Sequence, residues 1–155
     1  MKKFVSFITC IAMCMMLVMP VSAAEIKTED SITMTEESEA ALYSTNYFRK
    51  ITPKLNSAFG YPSSIATLSS GSVTGSDPQI TSVTVYSRVD RNSDPFYVYV
   101  VDPNGYGYYE KVTSSGTITI KDFNGLNPTG EWKIWIETLG DVSTATITLT
   151  VNYRY

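Results

Sequence analysis

The residue types that most enzymes use for acid–base and nucleophilic chemistry are scarce in this chain of 155 residues. It contains no histidine, which excludes histidine-based triads and histidine-ligated zinc. Both cysteines, Cys10 and Cys14, lie in an apolar N-terminal run. Gly105-Tyr106-Gly107 follows a turn and opens no helix, so it is not a phosphate-binding loop. Carboxylates and aromatic rings are therefore the remaining candidates for site chemistry.

One group of oxygen side chains is spaced for a metal ion. Asp90, Asn92 and Asp94 alternate along the chain, and alternating oxygen ligands suit Ca²⁺. The glycine and the distant glutamate of an EF-hand loop are missing, so we favour a polar loop between strands. The sequence therefore predicts no cofactor, the alternative being a weak structural Ca²⁺ site at Asp90, Asn92 and Asp94.

A pair of carboxylates also serves glycoside hydrolases. The pattern brings no two carboxylates together, and we expect the four acidic residues of the later strands and turns to be solvated. A carboxylate-only hydrolase is therefore an alternative that we do not favour, and the sequence predicts no enzyme. These four residues are Glu110, Glu131, Glu137 and Asp141.

Aromatic side chains are the second candidate, since all eleven tyrosines lie beyond Ala24. Alternation turns some of these rings outward, whereas Trp132 belongs to the core. Exposed rings stack on sugar faces or contact apolar groups of a protein partner. The alternatives are ordinary strand residues, or rings packed under the N-terminal segment. The predicted ligand-binding residues are Tyr97, Tyr99 and Trp135 on outward faces, with Tyr106, Tyr108 and Tyr109 after a turn.

The strands that position these rings are indicated by apolar residues at every second position. Polar residues fill the positions between them, which is typical of antiparallel sheets with one buried face. Asp102-Pro103-Asn104-Gly105 predicts a turn that joins two strands as a hairpin. Several short strands at this spacing favour an all-β fold, a sandwich or barrel. The predicted strands are 80–89, 96–101, 106–112, 117–120, 130–139 and 144–153.

The N-terminal third has a different composition. Residues 1–24 read as a secretory signal peptide, with two lysines, an apolar core and small residues before Glu25. The alternatives are an uncleaved anchor and lipoprotein-type cleavage at Cys14. Residues 25–62 are acidic and rich in Ser and Thr, which predicts a flexible or partly helical leader, with 35–42 as the helical part. The β-sandwich domain is then predicted to span residues 63–155.

The second half of the chain resembles the P (homo-B) domain of subtilisin-like proprotein convertases. The resemblance implies a jelly-roll-like antiparallel β-sandwich of exported, accessory character, and it implies no activity. The usual Trp of the last strand is replaced within Thr146-Ile147-Thr148-Leu149, the middle loops are shorter, and no protease domain precedes the sandwich. The resembling segments are Ile80–Val85, Asp94–Gly105, Phe123–Ile136 and Gly140-Asp141.

Charge narrows the class of partner. Loss of residues 1–24 removes Lys2 and Lys3, which leaves ten basic and fifteen acidic residues and a net charge of −5. A chain this acidic, without a basic cluster, makes nucleic acid or anionic membrane an unfavourable partner. The sequence therefore predicts a secreted, extracellular and non-catalytic binding or accessory module, bound to no membrane after signal cleavage. Its expected partner is an unknown protein or a surface glycan, the alternative function being a carbohydrate-binding module.

Overall fold

The computed structural model describes residues 43–155. The predicted signal peptide and the predicted helix at 35–42 lie outside this range. Within it the regular elements are β-strands. A helix with the length and apolar character of a membrane span is not found among these residues.

Nine strands are formed between residues 43 and 155, all paired in antiparallel fashion. The central strand β9 pairs with β1 and β2 on one side and with β4 on the other. The strands are β1 (Thr45–Ile51), β2 (Leu55–Ala58), β3 (Ala66–Ser69), β4 (Gln79–Val89), β5 (Phe96–Val101), β6 (Gly107–Val112), β7 (Gly116–Ile120), β8 (Glu131–Thr138) and β9 (Val142–Arg154).

The strands form two sheets that pack as a sandwich. Sheet A has the order β1-β9-β4-β7, with β2 also paired to β9, and sheet B has the order β3-β8-β5-β6. Apart from the β1–β2 connection and the β5–β6 hairpin, each connection passes from one sheet to the other. This strand order is that of a jelly roll. The predicted fold class, an all-β antiparallel sandwich of jelly-roll type, is confirmed.

The inner faces of the two sheets form one apolar core. The alternation predicted for β5, β8 and β9 is confirmed, because their inward residues are fully buried. Trp132 lies at the centre with no exposed surface, its ring edge-on to Phe123 at 5.7 Å. Its indole N–H donates a hydrogen bond to the carbonyl of Pro128 at 3.1 Å, so the buried polar atom is satisfied.

The predicted hairpin between β5 and β6 is also confirmed. The amide of Gly105 donates to the carbonyl of Asp102 at 3.1 Å, and Gly105 has a φ of 90°, which a glycine adopts without strain. The Asp102 side chain is buried and accepts hydrogen bonds from the amides of Asn104 and Tyr106. A buried carboxylate therefore holds this turn together.

The boundary predicted at residue 63 is wrong, because the sandwich begins near Thr45. Residues 45–51 and 55–58 are strands of sheet A, and Leu55 is buried in the core. The Thr52 hydroxyl accepts a hydrogen bond from the amide of Ile147, at 3.0 Å. In β1 the outward positions include Tyr47 and Ile51, which are apolar or aromatic yet exposed. The period-two signal of this segment is consequently weak.

We expect Leu55→Ala to lower the free energy of unfolding by about 2–5 kcal/mol, because it opens a cavity in the core. Tyr47→Ala is the matched control, since Tyr47 lies on the outward face of neighbouring β1 and is exposed; we expect it to cost less than about 1 kcal/mol. Urea unfolding followed by tryptophan fluorescence measures both values. Equal stability of the two variants would mean that this segment lies outside the core.

Candidate binding surface

The outward face of sheet B brings together three aromatic residues that are distant in sequence. Strand β5 lies between β8 and β6, and the register pairs Tyr99 with Trp135 on one side and with Tyr109 on the other. Because Val98 and Val100 are buried, alternation turns Tyr99 to the outside. Trp135, Tyr99 and Tyr109 therefore form one row across the sheet.

The rings of this row are stacked on one another. The centroids of Tyr99 and Trp135 are 5.0 Å apart with planes at 3°, and those of Tyr99 and Tyr109 are 5.6 Å apart with planes at 29°. Tyr97, two residues along β5, lies edge-on to Tyr109 at 5.7 Å and to Tyr99 at 6.4 Å. We call these four residues, Tyr97, Tyr99, Tyr109 and Trp135, the aromatic ladder.

Stacking decides which parts of the rings meet solvent. Tyr99 has a ring on each side, so its two faces are covered. Tyr97, Tyr99 and Trp135 are each only partly exposed. Tyr109 lies on the edge strand β6 and is 63% exposed. Tyr99 therefore presents its ring edge to solvent, and Tyr109 is the ladder residue with most of its surface exposed.

Charged side chains of both signs border the ladder. The register places Tyr97 between Glu137 and Lys111, and places Lys133 beside Val101 in the next row. The hydroxyl of Tyr99 donates a hydrogen bond to Glu137 at 3.2 Å. Burial raises the pKa of Tyr99, and this hydrogen bond raises the same pKa further. The phenol therefore stays a neutral donor, and it fixes the ring's orientation.

Two of the six predicted ligand-binding residues lie outside the ladder. Tyr106 is in the β5–β6 turn and is exposed. Tyr108 lies on the opposite face of β6 from Tyr109 and packs against the core. Its hydroxyl donates to Glu110 at 2.7 Å. That hydrogen bond is the main cause that raises the pKa of Tyr108 to about 12, with burial as the second.

The loop with the alternative Ca²⁺ site uses its carboxylates in other ways. Asp90 forms an ion pair with Lys54 at 2.6 Å. Asp94 accepts hydrogen bonds from the amides of Asp141, at 2.7 Å, and Val142, at 3.1 Å. Asn92 is exposed and has a φ of 65°. Residues 43–155 contain no group of three or more acidic, His or Cys side chains arranged for a metal ion. We therefore interpret the loop as a structural turn.

The approach of Asp94 to the β8–β9 turn also explains a glycine. A Cβ atom at Gly140 would lie 2.6 Å from the carboxylate of Asp94. A side chain there would have to displace the Asp94 carboxylate from its hydrogen bonds, so the turn favours glycine at position 140. Asp94 thus links the β4–β5 connection to the β8–β9 turn.

Two surface depressions found among residues 43–155 give no support to a carboxylate hydrolase. One, of about 130 Å³, lies between Lys111 and Ile118 near the β6–β7 connection. The other, of about 300 Å³, lies on the outer face of sheet A. Neither is lined by Asp or Glu, whereas a hydrolase of this type needs two carboxyl groups roughly 5–10 Å apart in a cleft.

The depression on sheet A was not found from the sequence. It is lined in part by Arg49 and Ile51 of β1, a segment that the sequence analysis assigned to the leader. The alternation of Tyr47, Arg49 and Ile51 is the only local signal of it, and that alternation becomes meaningful only when β1 is known to be a strand.

Comparison with known proteins leaves the family open. No family model and no curated protein matches the chain. One similar solved structure is the crystal structure of FLHE, with 12% sequence identity and a TM-score of 0.49; the match covers 73% of this chain and 98% of that one. A second is the extra small virus (XSV) VLP of the giant freshwater prawn Macrobrachium rosenbergii, with 16% identity, a TM-score of 0.28, and coverage of 88% of this chain and 94% of that one. A third is a family two carbohydrate esterase from Cellvibrio japonicus, with 15% identity, a TM-score of 0.27, and coverage of 74% of this chain and 36% of that one. Similarity at this level assigns no function, and the resemblance to the P domain stays a prediction.

We expect Asp94→Ala to lower the free energy of unfolding by about 2 kcal/mol, since two amide hydrogen bonds to a carboxylate are lost. Asp90→Ala is the control, and loss of its partly exposed ion pair should cost less than about 1 kcal/mol. Thermal unfolding with Ca²⁺ and with EGTA tests the alternative role. A melting temperature that rises with Ca²⁺ and falls back with EGTA would show that the loop binds Ca²⁺, contrary to our interpretation.

The raised pKa of Tyr108 predicts a loss of stability in alkali. The folded protein holds the Tyr108 proton up to about pH 12, above the ordinary pKa of 10.0. The stabilisation is complete below pH 10 and is lost as the pH rises to about 12. Tyr108→Phe should remove this component of the pH dependence, and Glu110→Gln should reduce it.

Urea unfolding at successive alkaline pH values measures this component as the difference between the wild type and Tyr108→Phe. Glu131→Gln, on another strand, controls for the loss of one carboxylate and should leave the component intact. An unchanged pH dependence in Tyr108→Phe would refute the assignment.

Proposed function

We propose that this protein is a secreted, non-catalytic binding module that recognises a protein partner through the aromatic ladder. The observation that carries the proposal is the row of stacked rings on the outside of sheet B. Trp135, Tyr99 and Tyr109 pack on one another there rather than into the core. Aromatic residues are enriched at the centres of protein interfaces, where they supply most of the binding energy.

Rigidity of the ladder supports a protein partner. The stacking contacts, and the hydrogen bond from Tyr99 to Glu137, hold the rings in place before any partner arrives. A preformed surface loses little side-chain entropy on binding. The mixed charges of Glu137, Lys111 and Lys133 provide the polar rim that surrounds an apolar interface centre.

The orientation of the rings argues against a platform for a sugar chain. Such a platform needs ring faces turned toward the ligand, because sugars stack on the faces. Here the faces of Tyr99 are covered by its neighbours. Recognition of a surface glycan is the second candidate, and it rests on Tyr109 alone, whose ring lies on the edge strand and is mostly exposed.

Export and lack of catalysis are inferred from the sequence. Residues 1–24 have the composition of a secretory signal peptide. The chain has no histidine, and both of its cysteines lie within those residues, which supports a non-catalytic role. The excess of acidic residues favours partners other than nucleic acid or anionic membrane. The resemblance to the P domain agrees with an accessory role outside the cell.

We expect a photo-crosslinking phenylalanine analogue at position 109 to capture one protein from the native envelope or culture fluid, identified by mass spectrometry. The same analogue at position 47, on the outer face of sheet A, should capture none of it. Tyr99→Ala and Trp135→Ala should each weaken binding of the captured protein by about tenfold or more, measured by calorimetry, because each removes a stacked ring.

The matched control for binding is Tyr47→Ala, which removes an exposed ring from the opposite sheet and should bind as the wild type does. Thermal unfolding establishes that each variant is folded. A glycan array run in parallel tests the second candidate. Binding to a glycan that Tyr109→Ala abolishes, without a crosslinked protein, would replace the proposed partner. Crosslinking that is the same at positions 47 and 109 would refute the ladder as the recognition surface.

A further inference from the structure

Charge is distributed unequally between the two sheets. The strands of sheet A contain no Asp or Glu and four basic residues, whereas the strands of sheet B contain both signs. This cationic sheet belongs to a chain whose formal net charge is −3. The basic residues of sheet A are Arg49, Lys50, Arg88 and Arg154.

Two of these four basic residues are not available to a ligand on the outer face. One contacts other side chains of the protein, and the other points inward. Arg154 donates to the side-chain oxygen of Gln79 at 2.9 Å, and its guanidinium lies 4.6 Å from the ring centre of Tyr43. Lys50 pairs in register with buried Leu149, on the inward side of β1. Arg49 and Arg88 remain, and both belong to the outward face.

Arg49 and Arg88 border the same depression, which has a volume of about 300 Å³. Thr148 of β9 forms its floor, with Ile51 of β1 paired on one side and Tyr86 of β4 on the other. Arg49 lies opposite Thr150 and Arg88 opposite Thr146. The two arginines therefore approach from diagonal corners. The full lining is Arg49, Ile51, Tyr86, Arg88, Thr146 and Thr148.

Neither arginine has an acidic partner among residues 43–155, where the ion pair formed is that of Lys54 with Asp90. Guanidinium groups hold carboxylates and sulfates through paired N–H donors. Two such groups at one depression, with no carboxylate in its lining, attract an anion. An anion of suitable size would reach both.

We propose that this depression binds an acidic saccharide, with Arg49 and Arg88 holding carboxylate or sulfate groups at its two ends. Threonine hydroxyls act both as donors and as acceptors, which suits the hydroxyl groups of a sugar. The ring of Tyr86, 40% exposed at the rim, offers a face for stacking. A nucleic acid fits poorly, because an extended polyanion would meet the acidic remainder of the surface.

This site is independent of the aromatic ladder. The ladder lies on the outer face of sheet B and the depression on the outer face of sheet A, so the core of the sandwich separates them. Failure of either proposal leaves the other standing, and a chain with both sites would hold a protein partner on one side and a short acidic saccharide on the other.

Calorimetric titration of the full mature chain with trigalacturonate tests the proposal. We expect saturable binding that weakens as salt rises, because charge attraction is screened. Arg49→Gln and Arg88→Gln should each weaken it roughly tenfold, and the double variant should abolish it. Lys121→Gln, exposed at the end of β7 outside the depression, loses the same charge and should bind as the wild type does.

Two further titrations identify the source of the anion. A neutral galactose trisaccharide should fail to bind, since it lacks the charged group. Inorganic sulfate should bind more weakly than a sulfated galactose trisaccharide; equal affinity would overturn the saccharide part of the proposal. Absence of binding by both trigalacturonate and the sulfated trisaccharide to the folded wild type would overturn it entirely. So would unaltered binding by the double variant, whose folding is checked by thermal unfolding.

Discussion

Each sheet of this sandwich buries one face against the other, and that constraint determines what the protein shows to solvent. Because side chains alternate along a strand, burial of the inner set forces the other set outward. β9 follows this rule for most of its length, with Ile147 and Leu149 buried and Thr146 and Thr150 on the outside. The aromatic ladder and the arginine-lined depression are the outward counterparts of the same packed core.

The outward faces of sheets A and B differ because different side chains lie next to each other on adjacent strands. On sheet B, registration of β5 with β8 and β6 brings Trp135, Tyr99 and Tyr109 into contact. Those contacts stack the rings, so that the faces of Tyr99 meet its neighbours instead of solvent. On sheet A, the corresponding neighbours of Tyr86 are Thr148 and Thr117. These shorter side chains leave room beside Tyr86 for a depression bordered by arginines.

Carboxylates in this protein serve structure where their surroundings supply donors. Asp102 is buried and holds the β5–β6 turn through two backbone amides. Asp94 holds the β8–β9 turn in the same way, and its carboxylate lies where a side chain at position 140 would be. In the sequence, the acidic motif at 90–94 therefore resembles part of an ion site. In the folded protein its carboxylate oxygens have other partners, because the nearest donors come from residues far away in sequence.

The sequence by itself determined the fold class, the long central strands and Trp132 as a core residue, since these depend on local alternation and burial. It also indicated that Tyr97, Tyr99 and Trp135 face outward. Only the tertiary structure decided that β1 and β2 belong to the sandwich, because edge strands need little apolar alternation. It alone decided which rings touch and which arginines share a depression. Those relations depend on register between distant strands, which no local pattern contains.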